Sequence, residues 1–169
     1  MTVTPAYTLR DAGADDLAAL ALLHARCFAD SPWDRGALAR LVALPVLRAR
    51  LMEDGRRSPL GFQLSLIVAG EAEILTLCVD PNLRRQGLGR VLLRDLYAEA
   101  RAAAATRLVL EVAADNHPAL RLYESEGFAH IGRRPFYYRR GAEPAVDALM
   151  LARDIEPLDS PGNRMEHHS

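Results

Sequence analysis

The stretch "ILTLCVDPNLRRQGLGRVLL", residues 74–93, changes periodicity half-way along. From Ile74 to Val79 it is apolar at nearly every position, the pattern of a central strand covered on both faces. From Leu88 onward, Leu88, Val91, Leu92, Leu96 and Ala100 recur at helical spacing and predict a long helix over 88–104. The link between them carries Arg84, Arg85, Gln86, Gly87, Gly89 and Arg90. The first amides of a helix have no intrahelical partner and sit at the positive end of its dipole, so this turn is suited to an anion. Gly87 and Gly89 carry no side chain to hold a ligand away, and the arginines add charge-assisted donors. The plainer reading is a strand-to-helix connection. Two known phosphate motifs do not fit: the dinucleotide fingerprint needs a third glycine where Leu92 stands, and the Walker motif needs Gly-Lys-Ser/Thr.

The flanking sequence places this unit in a mixed fold. Upstream, "YTLRDA" (7–12) reads as a first strand, and Leu17, Leu20, His24 and Cys27 mark a helix over 15–28. Ser31 as cap, Pro32 in the first turn and Asp34 three residues after the cap predict a second helix reaching Leu44, before Pro45. "VLRARLME" (46–53), "LGFQLSLIVA" (60–69) and "EAEILTLCV" (71–79) are separated by turn chemistries and predict an antiparallel meander. Downstream come a strand over 106–113, a helix over 115–128 capped by Asn116 and stopped at Gly127, and strands over 128–138 and 145–155. The result is an α/β fold with a mixed, largely antiparallel central sheet flanked by helices. Strands 73–79 and 106–113 are expected to run parallel through a right-handed crossover.

The chain has 169 residues, 50% hydrophobic and 25% charged, which suits one domain over 1–155; the remainder, 156–169, is expected to be a flexible tail. A net charge of −1 gives no global reason to bind nucleic acid or a membrane surface, so an anionic ligand must be held locally. Neither a signal peptide nor a membrane span is visible in the sequence, and two cysteines outside any ligand spacing read as free thiols. A cytoplasmic protein is the expectation. No metal is expected: His167 and His168 are adjacent in the tail, and His117 and His130 lack partners of ligand type.

"LCVDPNLRRQGLGRVLL" resembles the acetyl-CoA-binding motif of the Gcn5-related N-acetyltransferases, and "LEVAADNHPALRLYESEGF" resembles the second half of the same site. With "RRPFYY" and "DALMLARDI", the likeness is greatest to the branch that acetylates the N-terminal alanine of a small-subunit ribosomal protein. It covers residues 60–155 well and the N-terminal helices loosely. It implies an acyl-CoA N-acyltransferase fold and acetyl-CoA as co-substrate. Arg85, Gln86, Gly87, Leu88, Gly89 and Arg90 match the pyrophosphate loop. Leu77, Cys78 and Val79 match the strand whose main chain pairs with the pantetheine arm, and Asn116 matches an asparagine beside that arm or serves only as a helix cap. The resemblance makes Glu111 the general base and Tyr123 the general acid.

The residues agree with those roles on chemical grounds. Attack of an amine on a thioester must take a proton from the amine and return one to the departing thiolate. Glu111 interrupts an apolar strand, which is costly unless the carboxylate is paired, wet or functional. A solvated edge position and, for Tyr123, a packed ring are the structural alternatives. An α-amine of pKa ~8 is about a tenth neutral at pH 7, whereas a lysine at ~10.4 is neutral in well under a thousandth, so one modest base suits an α-amine acceptor. Direct transfer leaves Cys78 without a nucleophilic role. The expected partner is a protein N-terminus; a small-molecule amine acceptor and a non-catalytic acyl-CoA sensor are the alternatives. "RRPFYYRR" (133–140) reads as a solvated strand pair rather than an RNA surface.

Overall fold

The computed structural model describes residues 6–158. In chain order they form β1 (Tyr7–Asp11), α1 (Leu17–Cys27), α2 (Arg35–Val42), β2 (Leu47–Asp54), β3 (Pro59–Val68), β4 (Glu71–Val79), α3 (Leu88–Ala102), β5 (Arg107–Ala113), α4 (His117–Ser125), β6 (Ala129–Tyr138) and β7 (Val146–Asp154). One seven-stranded sheet runs β1-β2-β3-β4-β5-β7-β6. Its pairings are antiparallel except β4 with β5, which are parallel and joined through α3.

The apolar residues of β4 explain its central place. Ala72 and Ile74 face α3 and α4, packing with Leu93, Leu96 and Ala100 of α3, Tyr123 of α4 and Leu108, Leu110 and Val112 of β5. Cys78 faces the other way, into a second core built by Leu17, Leu20 and Leu23 of α1, Leu38 of α2, and Leu51, Phe62 and Leu64 of the meander. Helices thus cover the middle of the sheet on both faces, while β6 at the edge is exposed along nearly its whole length.

Several helix ends differ from the pattern-based expectation. The second helix begins at Arg35, and its cap is Asp34, whose Oδ1 accepts from the Ala37 amide at 2.7 Å; Ser31 and Pro32 stay outside it. The cause is tertiary: the Trp33 amide donates to His24 Nδ1 at 3.0 Å, which holds the chain off the helix until residue 34. α1 starts at Leu17 because residues 14–16 form a 3₁₀ turn in which Asp16 accepts from the Gly13 amide at 2.9 Å. α3 stops at Ala102 before Ala104 at φ 59°, and α4 stops at Ser125 before Gly127 at φ 87°. The first residues after β7 are tied down, with Arg101 donating to the Glu156 and Pro157 carbonyls at 2.8 Å each. The remainder of the expected tail, with His167 and His168, lies outside the described residues.

Candidate active site

The parallel pairing of β4 with β5 runs from Glu71 opposite Arg107 to Ile74 opposite Leu110 and stops there. Beyond it β4 continues along β3 as far as Val79, and β5 continues along β7 as far as Ala113. The two strands therefore part, leaving Leu75–Val79 and Glu111–Ala113 with main-chain edges that face a cleft. An irregularity in the β3–β4 ladder, where Leu64 opposes Thr76 and Ser65 opposes Ile74, lies where they separate. An extra residue of this kind bends a strand and ends its pairing.

The glycine–arginine turn leads from the end of β4 into α3. Asp80 shapes it, accepting from the Asn82 amide at 2.9 Å and from Arg26 at 2.5 Å. Arg85 and Gly87 both adopt positive φ, 63° and 82°, and a Cβ on Gly87 would meet nothing within 4 Å. Gly87 is thus required by conformation and opens on free space. Gly89 has another reason: a Cβ there would come within 3.3 Å of Leu122 and near Leu77 and Val79, so its missing side chain serves helix–strand packing rather than ligand approach. No side chain caps α3, whereas Asp34 caps α2 and Asn116 caps α4. The first intrahelical bond is Val91 N–H to the Gly87 carbonyl at 3.1 Å, which leaves the amides of Leu88, Gly89 and Arg90 unpaired within the helix.

The remaining expected ligands divide. Arg90 does not point its guanidinium at the turn: it reaches Glu126 Oε1 at 2.9 Å and Ser125 Oγ at 2.9 Å, joining α3 to α4 and sharing the buried Glu126 carboxylate with Arg94. What Arg90 leaves at the turn is its amide. Arg85 is exposed there with Gln86 half-buried beside it, while the Leu88 side chain is core. Leu77 and Val79 are half-buried and Cys78 is buried, and the Val79 carbonyl accepts from Cys27 Sγ at 3.3 Å. Asn116 Oδ1 accepts from the Ala119 amide at 3.3 Å, the capping role, which leaves its NH₂ group.

Glu111 lies on β5 beyond its pairing with β4, and Tyr123 lies on α4 against the α3-facing core. Glu111 Oε1 is 3.0 Å from Arg134 of β6, so the carboxylate in the apolar strand is paired, and a quarter of its side chain is exposed. Tyr123 is 7% exposed, edge-on to Phe128 with centroids 5.5 Å apart. Burial pushes its hydroxyl above the ordinary phenol value, with the neighbouring Cys78 and Tyr138 adding to the rise. Tyr138, which pattern reading passed over, lies near both residues; its own hydroxyl is raised by burial and by the Glu111 charge. Gly61 was also missed: a Cβ there would stand 2.6 Å from the Cys78 carbonyl. Neither has a local sequence signal, because each earns its place from a strand distant in sequence. The arginines of 133–140 are largely spoken for, Arg133 by Asp147, Arg134 by Glu111 and Arg140 by Asp115 at 2.6 Å.

The chain as a whole has counterparts among known proteins. Residues 24–128 match the acetyltransferase (GNAT) family. The chain belongs to that family and is an acetyltransferase. It is 35% identical over 124 residues to the [ribosomal protein bS18]-alanine N-acetyltransferase of Escherichia coli strain K12, covering 73% of this chain and 82% of that one. The crystal structure of the ribosomal-protein-S18-alanine N-acetyltransferase from Escherichia coli superposes with a TM-score of 0.83 at 29% identity, covering 95% of this chain and 99% of that one. Arabidopsis thaliana NAA60 in complex with acetyl-CoA shares the fold, with a TM-score of 0.78 at 20% identity over 89% of this chain and 99% of that one. Like other GNAT members, the chain has a mixed, mostly antiparallel sheet. No helix among the described residues is long and apolar enough to cross a membrane.

Proposed function

We propose that this acetyltransferase acts on the N-terminal α-amine of a protein, with the N-terminal alanine of a small-subunit ribosomal protein as acceptor. The observation that carries the reading is the cleft between β4 and β5 above an uncapped α3, in a chain whose relative over most of its length is named for that reaction.

The site's donors fit acetyl-CoA. The unpaired amides of Leu88, Gly89 and Arg90, the open space at Gly87 and the Arg85 and Gln86 side chains are suited to a diphosphate. The edge of Leu77, Cys78 and Val79 offers main-chain groups to an extended arm, and the Asn116 NH₂ group is free to join them. Acetyl-CoA supplies the acetyl group as an activated thioester.

The protein's own part is positioning and proton movement. Glu111, directly or through a water, takes the proton from the acceptor amine, and the ion pair with Arg134 opens for it to do so. Tyr123 returns a proton to the departing thiolate. From ordinary values a phenol at ~10 donating to a thiolate at ~8.5 is uphill by about 2 kcal/mol. Burial raises the Tyr123 side of that balance further, and the same dry surroundings make a thiolate a hungrier proton acceptor. Among the described residues no helix packs over the face of β5, β7 and β6 that carries Glu111 and Arg134, which favours an extended peptide acceptor over an enclosed small amine.

The test is incubation with acetyl-CoA and a panel of N-terminal peptides, free lysine and polyamines, read by mass. Acetylation of an alanine-starting peptide at its α-amine, ahead of the other amines, is the expected result. Preference for a polyamine or a lysine side chain would sink the acceptor assignment.

A further inference from the structure

Two thiols that the proposed reaction does not use meet beside the cleft. Cys27 ends α1 and is partly exposed; Cys78 lies one residue from the end of β4 and is buried. The side chain of Cys78 belongs to the α1-facing core, with Cys27 packed against it. Cys27 Sγ donates to the Val79 carbonyl at 3.3 Å, which seats it against the main chain one residue beyond Cys78, and Cys78 Sγ lies 3.6 Å from Thr76 Oγ1. The Arg26–Asp80 ion pair at 2.5 Å clamps the end of α1 to the residue after β4 and fixes this approach.

Their surroundings make the two sulfurs unequal. The neighbouring Cys78 side chain and the nearby Arg84 guanidinium draw the Cys27 thiol below its ordinary value, while burial pushes Cys78 well up. An accessible, thiolate-prone cysteine beside a protonated, buried one is the arrangement of an attacking and a resolving residue.

We propose that Cys27 and Cys78 form a hydroperoxide-oxidisable dithiol, in which Cys27 attacks and Cys78 resolves, and whose disulfide fastens α1 to the rim of the cleft. In the first step the Cys27 thiolate attacks the terminal peroxide oxygen and the O–O bond breaks. Cys27 becomes a sulfenic acid, and the other oxygen leaves as alcohol or water after taking a proton. In the second step Cys78 attacks the Cys27 sulfur, the S–O bond breaks, and hydroxide leaves as water with the Cys78 proton. The two thiols together lose two electrons and the hydroperoxide gains them. A small-molecule dithiol reverses the change. Disulfides of this transient kind are compatible with a reducing compartment. The bond removes the Cys27 hydrogen bond to the Val79 carbonyl and pulls on Cys78, so oxidation weakens acetyl-CoA binding; this consequence rests on the proposed cofactor contacts of β4.

The test treats the reduced full chain with a small excess of hydrogen peroxide, then measures intact mass and alkylation by iodoacetamide after denaturation. The expected product is a monomer lighter by two hydrogens, with both cysteines blocked together, joined in one cross-linked peptide and freed by dithiothreitol. Cys78→Ala, a small apolar replacement chosen to preserve the core, is expected to stop at a dimedone-reactive sulfenic acid on Cys27, and Cys27→Ser to leave Cys78 alkylatable. Two cysteines that stay alkylatable in the wild type, oxygen uptake without a cross-link, or a disulfide between chains overturns the proposal. Titration with acetyl-CoA is expected to give a several-fold weaker affinity for the oxidised protein, restored on reduction. Equal affinities overturn the link to the cleft, whereas reduced protein that binds no acetyl-CoA sinks the cofactor reading and leaves the mass result standing.

Discussion

The roles proposed for Tyr123 and Glu111 differ, and substitutions separate them. Tyr123→Phe deletes one oxygen from a ring held by Phe128 and the α3-facing core, so the fold and the acetyl-CoA contacts should survive. Turnover is expected to fall on the order of 10²-fold or more with acetyl-CoA affinity nearly unchanged, as kinetics and calorimetry would read. Unchanged turnover would remove Tyr123 from the chemistry. Glu111→Gln is expected to slow the reaction most at low pH, with a deficit that shrinks as pH rises, because the acceptor amine then loses its proton unaided. A deficit that is flat with pH counts against base catalysis. Both residues stand out in sequence, Glu111 as a charge inside an apolar strand and Tyr123 by the family resemblance, and their roles are for these substitutions to test. Arg134, the partner that neutralises Glu111, does not stand out, since it arrives from β6 across β7.

The ends of the helices carry two further expectations. Asn116 caps α4 through its oxygen only, so Asn116→Asp keeps the acceptor and removes the NH₂ donors. Thermal stability should stay close to wild type while acetyl-CoA binding weakens; Asn116→Ala should lose the cap as well, at a cost of about 1 kcal/mol. Full binding by Asn116→Asp would confine Asn116 to capping. Between α1 and α2, His24 is 3% exposed, stacked on Trp33 with centroids 4.7 Å apart and accepting the Trp33 amide. Burial lowers it from 6.5 to about 4. The unfolded chain binds a proton at this residue near pH 6.5 and the folded one only near 4, so stability should decline as pH falls through 6.5 and level off below 4. The gap corresponds to about 3 kcal/mol. Thermal melts of wild type and His24→Asn, which keeps an acceptor without titrating, should diverge across that window. Parallel pH responses would show that His24 is not the group responsible.

Two apolar layers over one sheet hold the molecule together, and Phe62 stands at the middle of the α1-facing layer with no exposed surface. Phe62→Ala should cost about 3–5 kcal/mol, seen in urea as a lower midpoint at unchanged slope. A loss below 1 kcal/mol would mean that α1 and α2 collapse into the space. The period of each segment and the chemistry of its turns were readable one stretch at a time, which is why β4 over 71–79, the α3 unit and the parallel β4–β5 pair could be drawn before any coordinates. Hydrogen bonding between strands far apart in sequence leaves no such local trace. The insertion of β7 between β5 and β6, the parting of β4 from β5, the diversion of Arg90 to Glu126 and the meeting of Cys27 with Cys78 all depend on which distant partners share a surface. Sequence thus settled the elements and the glycine–arginine turn between β4 and α3, because both follow from local backbone chemistry. The cleft and its charge partners were left to the folded chain, because they come from long-range packing and register.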